Sequence, residues 1–294
     1  MANLKIDIMK KLLFAAIFIL PFISIAGGGW TKGKGKGYYK VSEWWITASK
    51  HFDNFGNTDL NARTTIANTT FYGEYGITDR LTGVLFFPFF SHSHFDNQIS
   101  STGQTRVKGE QVNGIGDTDL ALKYRLFPES QFAIATSLIL GIPLGNDSGG
   151  SQGQLQTGDG EFNQMIRTDV SKSFSLFNGV GTYANIYASF NNRSNGFSDE
   201  VRFGGELGAS LFKGKFWFIY RLDILESLQN GNETFEGQGA TVFANNTEFV
   251  SYTYEAAYYI SDKWGVSAAF GSAYSGKLIA AAPSYSVGVF LDIK

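Results

Sequence analysis

From Tyr38 to its end the chain reads as twelve runs of alternating apolar and polar residues, and the gaps between the runs alternate long and short without exception. The runs begin near Tyr38, Arg63, Leu81, Gly114, Gln131, Glu161, Asn178, Asp199, Lys215, Thr247, Lys263 and Ser284. Gaps after odd-numbered runs are long and polar, at 53–62, 96–113, 144–160, 193–198, 229–246 and 276–283. Gaps after even-numbered runs are short, at 76–80, 128–130 with Phe127 before them, 175–177, 213–214 and 261–262. A soluble β-sandwich has no reason to sort its loops by length in this way, whereas outer-membrane barrels have short periplasmic turns and long extracellular loops. The expected fold is all-β, a transmembrane antiparallel β-barrel of the outer-membrane type with about 12 strands spanning residues 38–294.

The N-terminus fits an exported protein. Lys10 and Lys11 precede an apolar run from Leu12 to Ile23, and Ser24, Ile25 and Ala26 follow with small residues at the cleavage subsites. Residues 1–26 therefore read as a signal peptide cleaved after Ala26, with Met9 as a second conventional start. The apolar run contains Pro21 and is shorter than the roughly 20 residues of a spanning helix. Removing the signal removes Lys5, Lys10 and Lys11 against Asp7, which takes the formal charge from −2 to −4. That balance gives no basic field to attract nucleic acid. The next segment, Gly27 to Gly37, alternates glycine and lysine and reads as a flexible, solvated periplasmic arm. With the arm in the periplasm, an even number of strands returns the C-terminus there and places every long loop outside.

Within single strands the two faces sort by polarity. Leu120, Leu122, Tyr124 and Leu126 share one face, opposite Asp117, Asp119, Lys123 and Arg125. Phe216, Phe218, Tyr220, Leu222 and Ile224 lie opposite Trp217, Arg221 and Asp223. Phe132, Ile134, Leu138 and Leu140 form a third lipid-facing set, and Tyr285, Val287, Val289, Leu291 and Ile293 a fourth. The first strand is mixed on both faces and has no assignable side. Tyr75, Tyr124, Phe127, Phe132, Phe174, Phe212, Phe216, Tyr258 and Trp264 flank the short turns as an interfacial girdle would.

This register sends Asp117, Asp119, Lys123, Arg125, Arg167, Asp169, Arg202, Glu206, Arg221, Asp223, Glu255 and Asp292 into the lumen. Acids and bases occur together on single strands, so pairing across the wall is expected, with a charge-selective constriction as the functional alternative. A balanced set does not suit a polyanion channel. Phe86, Phe90, Tyr183, Tyr187, Trp217, Tyr259 and Phe290 also face inward on this register, either to fill the barrel or to line a path for apolar or aromatic solutes. Twelve strands lie between the roughly eight that side chains can fill and the sixteen of an open aqueous pore.

Signals for catalysis or cofactors are poor. The chain has no cysteine, which excludes disulfides, thiolate metal sites and cysteine nucleophiles. His92 and His94 share a strand face but lack a third ligand nearby, so neither a metal nor any other cofactor is expected. A barrel phospholipase needs a serine and a histidine on one face, yet in Ser91-His92-Ser93-His94 each serine is one residue from a histidine and so on the opposite face. The Gly-rich stretch from Gly145 to Gly160 has neither the lysine nor the strand-to-helix setting of a phosphate loop.

Two segments carry a family resemblance. Gly114-Ile115-Gly116-Asp117-Thr118-Asp119-Leu120-Ala121-Leu122-Lys123-Tyr124-Arg125-Leu126 resembles a strand typical of barrels in the meta-pathway of phenol degradation family. Tyr75-Gly76-Ile77-Thr78-Asp79-Arg80-Leu81 is similar to the turn that precedes that family's third strand. The resemblance implies an outer-membrane transporter or channel for hydrophobic, including aromatic, compounds. One departure is the end of the chain, Leu291-Asp292-Ile293-Lys294, where such barrels commonly carry a terminal aromatic read by the barrel-assembly machinery. The expected function is passive diffusion of small solutes through a lipid-embedded outer-membrane barrel and not catalysis; a non-conducting barrel that adheres through its long loops is the alternative.

Overall fold

A computed structural model describes residues 28–99, 105–151, 153, 155–177, 180–232 and 243–294. The expected signal peptide lies outside the described residues, as does most of the long loop at 229–246. The strands are β1 (Gly37–Phe52), β2 (Thr58–Gly76), β3 (Leu81–Phe95), β4 (Gln98–Ile99), β5 (Thr105–Val107), β6 (Glu110–Gly114), β7 (Thr118–Arg125), β8 (Ala133–Ile142), β9 (Asn163–Phe177), β10 (Val180–Arg193), β11 (Glu200–Leu211), β12 (Phe216–Ser227), β13 (Glu248–Tyr259), β14 (Trp264–Lys277) and β15 (Ser284–Ile293).

All pairings are antiparallel between chain neighbours, and the pairing of β1 with β15 closes the sheet. Strands β6 and β7 both pair with β3 and form one stave broken at 115–117, so the barrel has twelve staves. The short β4–β5 hairpin stands apart from it. Closure matters because hydrocarbon offers the backbone no hydrogen-bonding partner, and a closed ladder leaves no edge strand unpaired. Two expected gaps shift: β2 begins at Thr58 and shortens the first long loop to 53–57, and residues 175–177, read as a short turn, belong to β9, which runs to Phe177.

The faces sort as charge and hydrocarbon demand. Leu122, Leu138 and Val289 are about half exposed on the outer wall, at 52%, 48% and 50%. Tyr75, Tyr124, Phe127, Phe132, Phe174, Phe212, Tyr258 and Trp264 form an exposed ring at the short-turn end. Toward the other end, Tyr252 packs on Tyr274 with ring centroids 4.7 Å apart, and Trp45 stacks on Tyr285 at 5.8 Å. The mixed first strand takes a definite side: Tyr38, Lys40 and Ser42 line the lumen, leaving Val41 on the outer wall.

Inward rings fit because glycines face them. Tyr183 pairs with Gly208, and a Cβ on Gly208 would lie 2.0 Å from the tyrosine Cε1. Gly265 stands in the same relation to Phe290, where the clash would be at 2.1 Å.

The Gly/Lys-rich arm is a correction to the sequence reading. From Gly28 onward it lies against the barrel wall instead of trailing as a solvated tail. The Gly29 amide donates to Ser171 Oγ at 2.7 Å, and the Lys32 amide donates to Thr82 Oγ1 at 2.9 Å. Trp30 meets Tyr183 edge to face at 5.6 Å. A Cβ on Gly29 would sit 1.9 Å from the Ala133 carbonyl oxygen, so glycine serves close approach here and not flexibility. Gly29→Val should therefore release the arm: trypsin is expected to cut at Lys32, Lys34 and Lys36 several-fold faster than in the parent, while the barrel keeps its heat-modifiable mobility on gels.

Candidate functional site

The lumen holds a cavity of about 600 Å³ bounded by side chains from most of the staves. Its wall carries Asp119, Arg167, Arg202, Glu206, Arg221, Asp223, Phe86 and Trp217, all placed inward by the sequence. Glu255, Asp292, Tyr183, Tyr187, Tyr259 and Phe290 line it too, and Lys123 and Asp169 border a smaller adjoining space with Asp119. Sequence reading missed Lys32, Lys40, Tyr72 and Glu74. The first two lie on the arm and on the strand whose faces are both mixed. The alternation of β2 carried the signal for Tyr72 and Glu74.

Most of the charges pair into three groups, with Arg202 bonding Glu200 and Lys32 lying 3.8 Å from Asp292 besides. Arg221 Nε reaches Glu206 at 2.5 Å and its Nη1 reaches Glu255 at 2.5 Å, while Lys40 Nζ donates to the same Glu255 at 2.7 Å. Arg167 grips Asp169 with two hydrogen bonds of 2.8 Å and lies 3.6 Å from the ring centroid of Tyr187. Lys123 sits 3.4 Å from Glu74, which also accepts from the Tyr72 hydroxyl at 2.6 Å. Tyr183 and Tyr187 donate short hydrogen bonds to Glu206 and Asp223. These side chains are nearly excluded from solvent, and charges so placed are tolerable only when paired and hydrogen-bonded.

Three predicted lumen residues lie elsewhere. Phe90 is 46% exposed on the outer wall. The β2–β3 ladder steps from Phe90 opposite Thr69 to Pro88 opposite Thr70, so Phe89 is an extra residue and the face parity of β3 flips there. Ser91 and Ser93 consequently turn inward, buried, and His92 and His94 turn outward, which keeps each serine and histidine on opposite sides of the wall. His92 Nδ1 contacts Asn113 Oδ1 at 2.6 Å, and among the described residues no cluster of three metal-ligating side chains occurs. Arg125 stays on the inward parity but at the rim of the short-turn end, where Nη2 donates to the Pro128 carbonyl at 3.2 Å. Asp117 falls in the break between β6 and β7 and anchors the loop above it, accepting from the amides of Gly145 at 2.9 Å and Asp159 at 2.7 Å.

That loop ends in a second ionic cluster at the long-loop end. Arg193 reaches Glu161 at 2.5 Å, Glu200 at 2.7 Å and Asp159 at 3.1 Å. Arg202 adds a second cation at Glu200, at 3.0 Å, and two cations among three carboxylates leave an excess of negative charge. Burial, with the charges of Glu161 and Asp117, accordingly pushes the Asp159 carboxyl up to about 8 against the pull of Arg193, and burial raises Glu161 as well.

Comparison with known proteins places the fold. No protein-family profile and no curated protein matches the chain, but many solved barrels do. An outer-membrane channel from Pseudomonas putida F1 superposes with a TM-score of 0.60 at 14% identity, covering 92% of this chain and all of the other. The barrel shares that channel's fold. The toluene transporter TbuX of Ralstonia pickettii follows at a TM-score of 0.41 and 11% identity over 90% of each chain. A KdgM porin gives 0.42 and 9% over 87% of this chain and 99% of its own.

Two outcomes follow from the geometry. Arg221→Met leaves Glu206 with only the Tyr183 hydroxyl and Glu255 with only Lys40, and should lower unfolding stability in detergent by about 3 kcal/mol, with much of the loss restored when Glu206 is also changed to glutamine. The second concerns pH. Because the packed loop raises the Asp159 carboxyl above its unfolded value of 3.8, the packed state holds the proton more tightly. Its contribution is greatest below about pH 4 and is lost as pH rises toward 8. Amide-exchange protection at Gly145 and Asp159, corrected for intrinsic rate, should fall between pH 5 and 9, and Asp159→Asn should flatten that dependence.

Proposed function

We propose that the protein is an outer-membrane channel for passive diffusion of small solutes with hydrophobic or aromatic character. The observation that carries this reading is the composition of the 600 Å³ lumen cavity, in which paired ions share the wall with Phe86, Tyr183, Tyr187, Trp217, Tyr259 and Phe290. Ion pairs keep such a space accessible to water, and ring faces offer weak stations for apolar solutes. The resemblance of the 114–126 strand to the meta-pathway of phenol degradation family, and the fold shared with the Pseudomonas channel, point the same way.

The proposed placement follows from the same features. The 1–26 signal exports the chain, the barrel-assembly machinery inserts it, and lipid surrounds the outer wall between the aromatic rings. Short turns and both termini then face the periplasm, with the arm at that mouth. Planar-bilayer recording of the purified mature protein should show discrete conductance, and proteoliposomes should take up small phenolic compounds faster than protein-free vesicles. A barrel silent in both assays refutes the proposal.

A further inference from the structure

We infer that Asp119 sets the charge preference of the pore, making it favour small cations over anions. The inference deepens the channel reading above and rests on it. Seven carboxylates line the central cavity or the small space beside it, and six of them are held by a named base or phenol: Glu74, Asp169, Glu206, Asp223, Glu255 and Asp292. Asp119 alone, among the described residues, accepts no hydrogen bond and forms no ion pair, and it borders both spaces.

Its surroundings explain why no neighbour neutralises it. Arg167 and Lys123, which share the small space with it, are engaged by Asp169 and Glu74. The guanidinium whose field reaches Asp119 from β11 is that of Arg202, and this one bonds Glu200 at 3.0 Å. Directly across the ladder from Asp119 is Phe86, whose ring has no charge to offer. A carboxylate aimed into a solvent-accessible lumen with its counter-ions occupied recruits cations from solution. An unpaired acid in a narrow pore acts as a cation filter, whereas Glu74, Asp169, Glu206, Glu255 and Asp292 each lie within 4 Å of a lysine or arginine that offsets their charge.

The location agrees with this role. Asp119 lies just inside the break at 115–117, so it is the inward acid of its stave closest to the loop anchored by Asp117. A solute entering from the long-loop end meets it before the Arg221 and Lys40 groups deeper along β12 and β1. Phe86 beside it gives a cation bearing an apolar group a ring to pack against.

The test is the reversal potential of the purified full mature protein in planar bilayers under a KCl gradient at pH 8, with Asp119→Asn, Asp119→Lys and Asp262→Asn for comparison. The parent should prefer K⁺. Asp119→Asn should reduce the K⁺ to Cl⁻ permeability ratio by about sixteenfold, because one unit charge acting at roughly 5 Å through a water-filled space favours K⁺ and disfavours Cl⁻ by about fourfold each. Asp119→Lys should invert the preference. Asp262→Asn, which removes the same charge from an exposed turn outside the lumen, should track the parent. If the asparagine variant does not fold, Asp119→Ser replaces it. Conductance with an unchanged ratio in the neutral variants overturns the inference and leaves the channel reading standing, whereas a parent without conductance overturns both.

Discussion

The closure of β1 on β15, ten residue pairs from Gly37 opposite Ile293 to Ile46 opposite Ser284, is the constraint on which the rest depends. Without it the sheet would present two open edges to hydrocarbon, at a cost of several kcal/mol for each unpaired backbone group. With it, every stave has a lipid side and a lumen side, and the alternation along each strand follows from the pleat. Closure at twelve staves also fixes how much room the lumen has, more than side chains can fill and less than a wide porin leaves open. The crowded ionic interior is a consequence of that intermediate width.

Width explains why the inner charges take the forms they do. Long side chains from separate staves can meet, so Lys40 of β1, three staves away, and Arg221 of the adjacent β12 converge on Glu255 of β13. In a wider pore these groups would be solvated singly. In a narrower one an apolar filling would be cheaper, since buried ion pairs rarely outdo well-packed hydrocarbon in stability. The arm adds to the crowding by bringing Lys32 to within 3.9 Å of Glu74 and 3.8 Å of Asp292.

Much of this was legible in the sequence, and the exceptions have definite causes. Loop-length alternation gave the stave number and its handing of long and short ends, and the clean strands gave their faces because Leu122 and Lys123 cannot exchange sides without burying charge in lipid. Phe90 was placed wrongly because Phe86, Phe87, Phe89 and Phe90 look alike on either parity, so the extra residue at Phe89 leaves no mark in composition. Asp117 and Asp119 share a spacing that implies a common face, yet the stave breaks just before Thr118 and assigns one to the loop and one to the lumen. The arm misled because glycine signals freedom and close approach equally; only the partner surface, here the Ala133 carbonyl, tells the two apart. The side of β1 was decided by Glu255, more than two hundred residues away, and no local pattern contains that information.

The same reasoning shows why a polar lumen suits passage better than an apolar one of equal size. Hydrocarbon side chains in a cavity this narrow would relax toward the density of a protein core and seal it. Ion pairs resist that collapse, because each guanidinium and carboxylate keeps a fixed geometry with its partner and loses hydrogen bonds if it shifts. The rings are held similarly, Tyr183 and Tyr187 by their hydroxyl bonds to Glu206 and Asp223 and by the glycines opposite. A wall fixed in this way stays apart without needing a solute to prop it open, and among the described acids that line it Asp119 is the one without a hydrogen-bond or ion-pair partner.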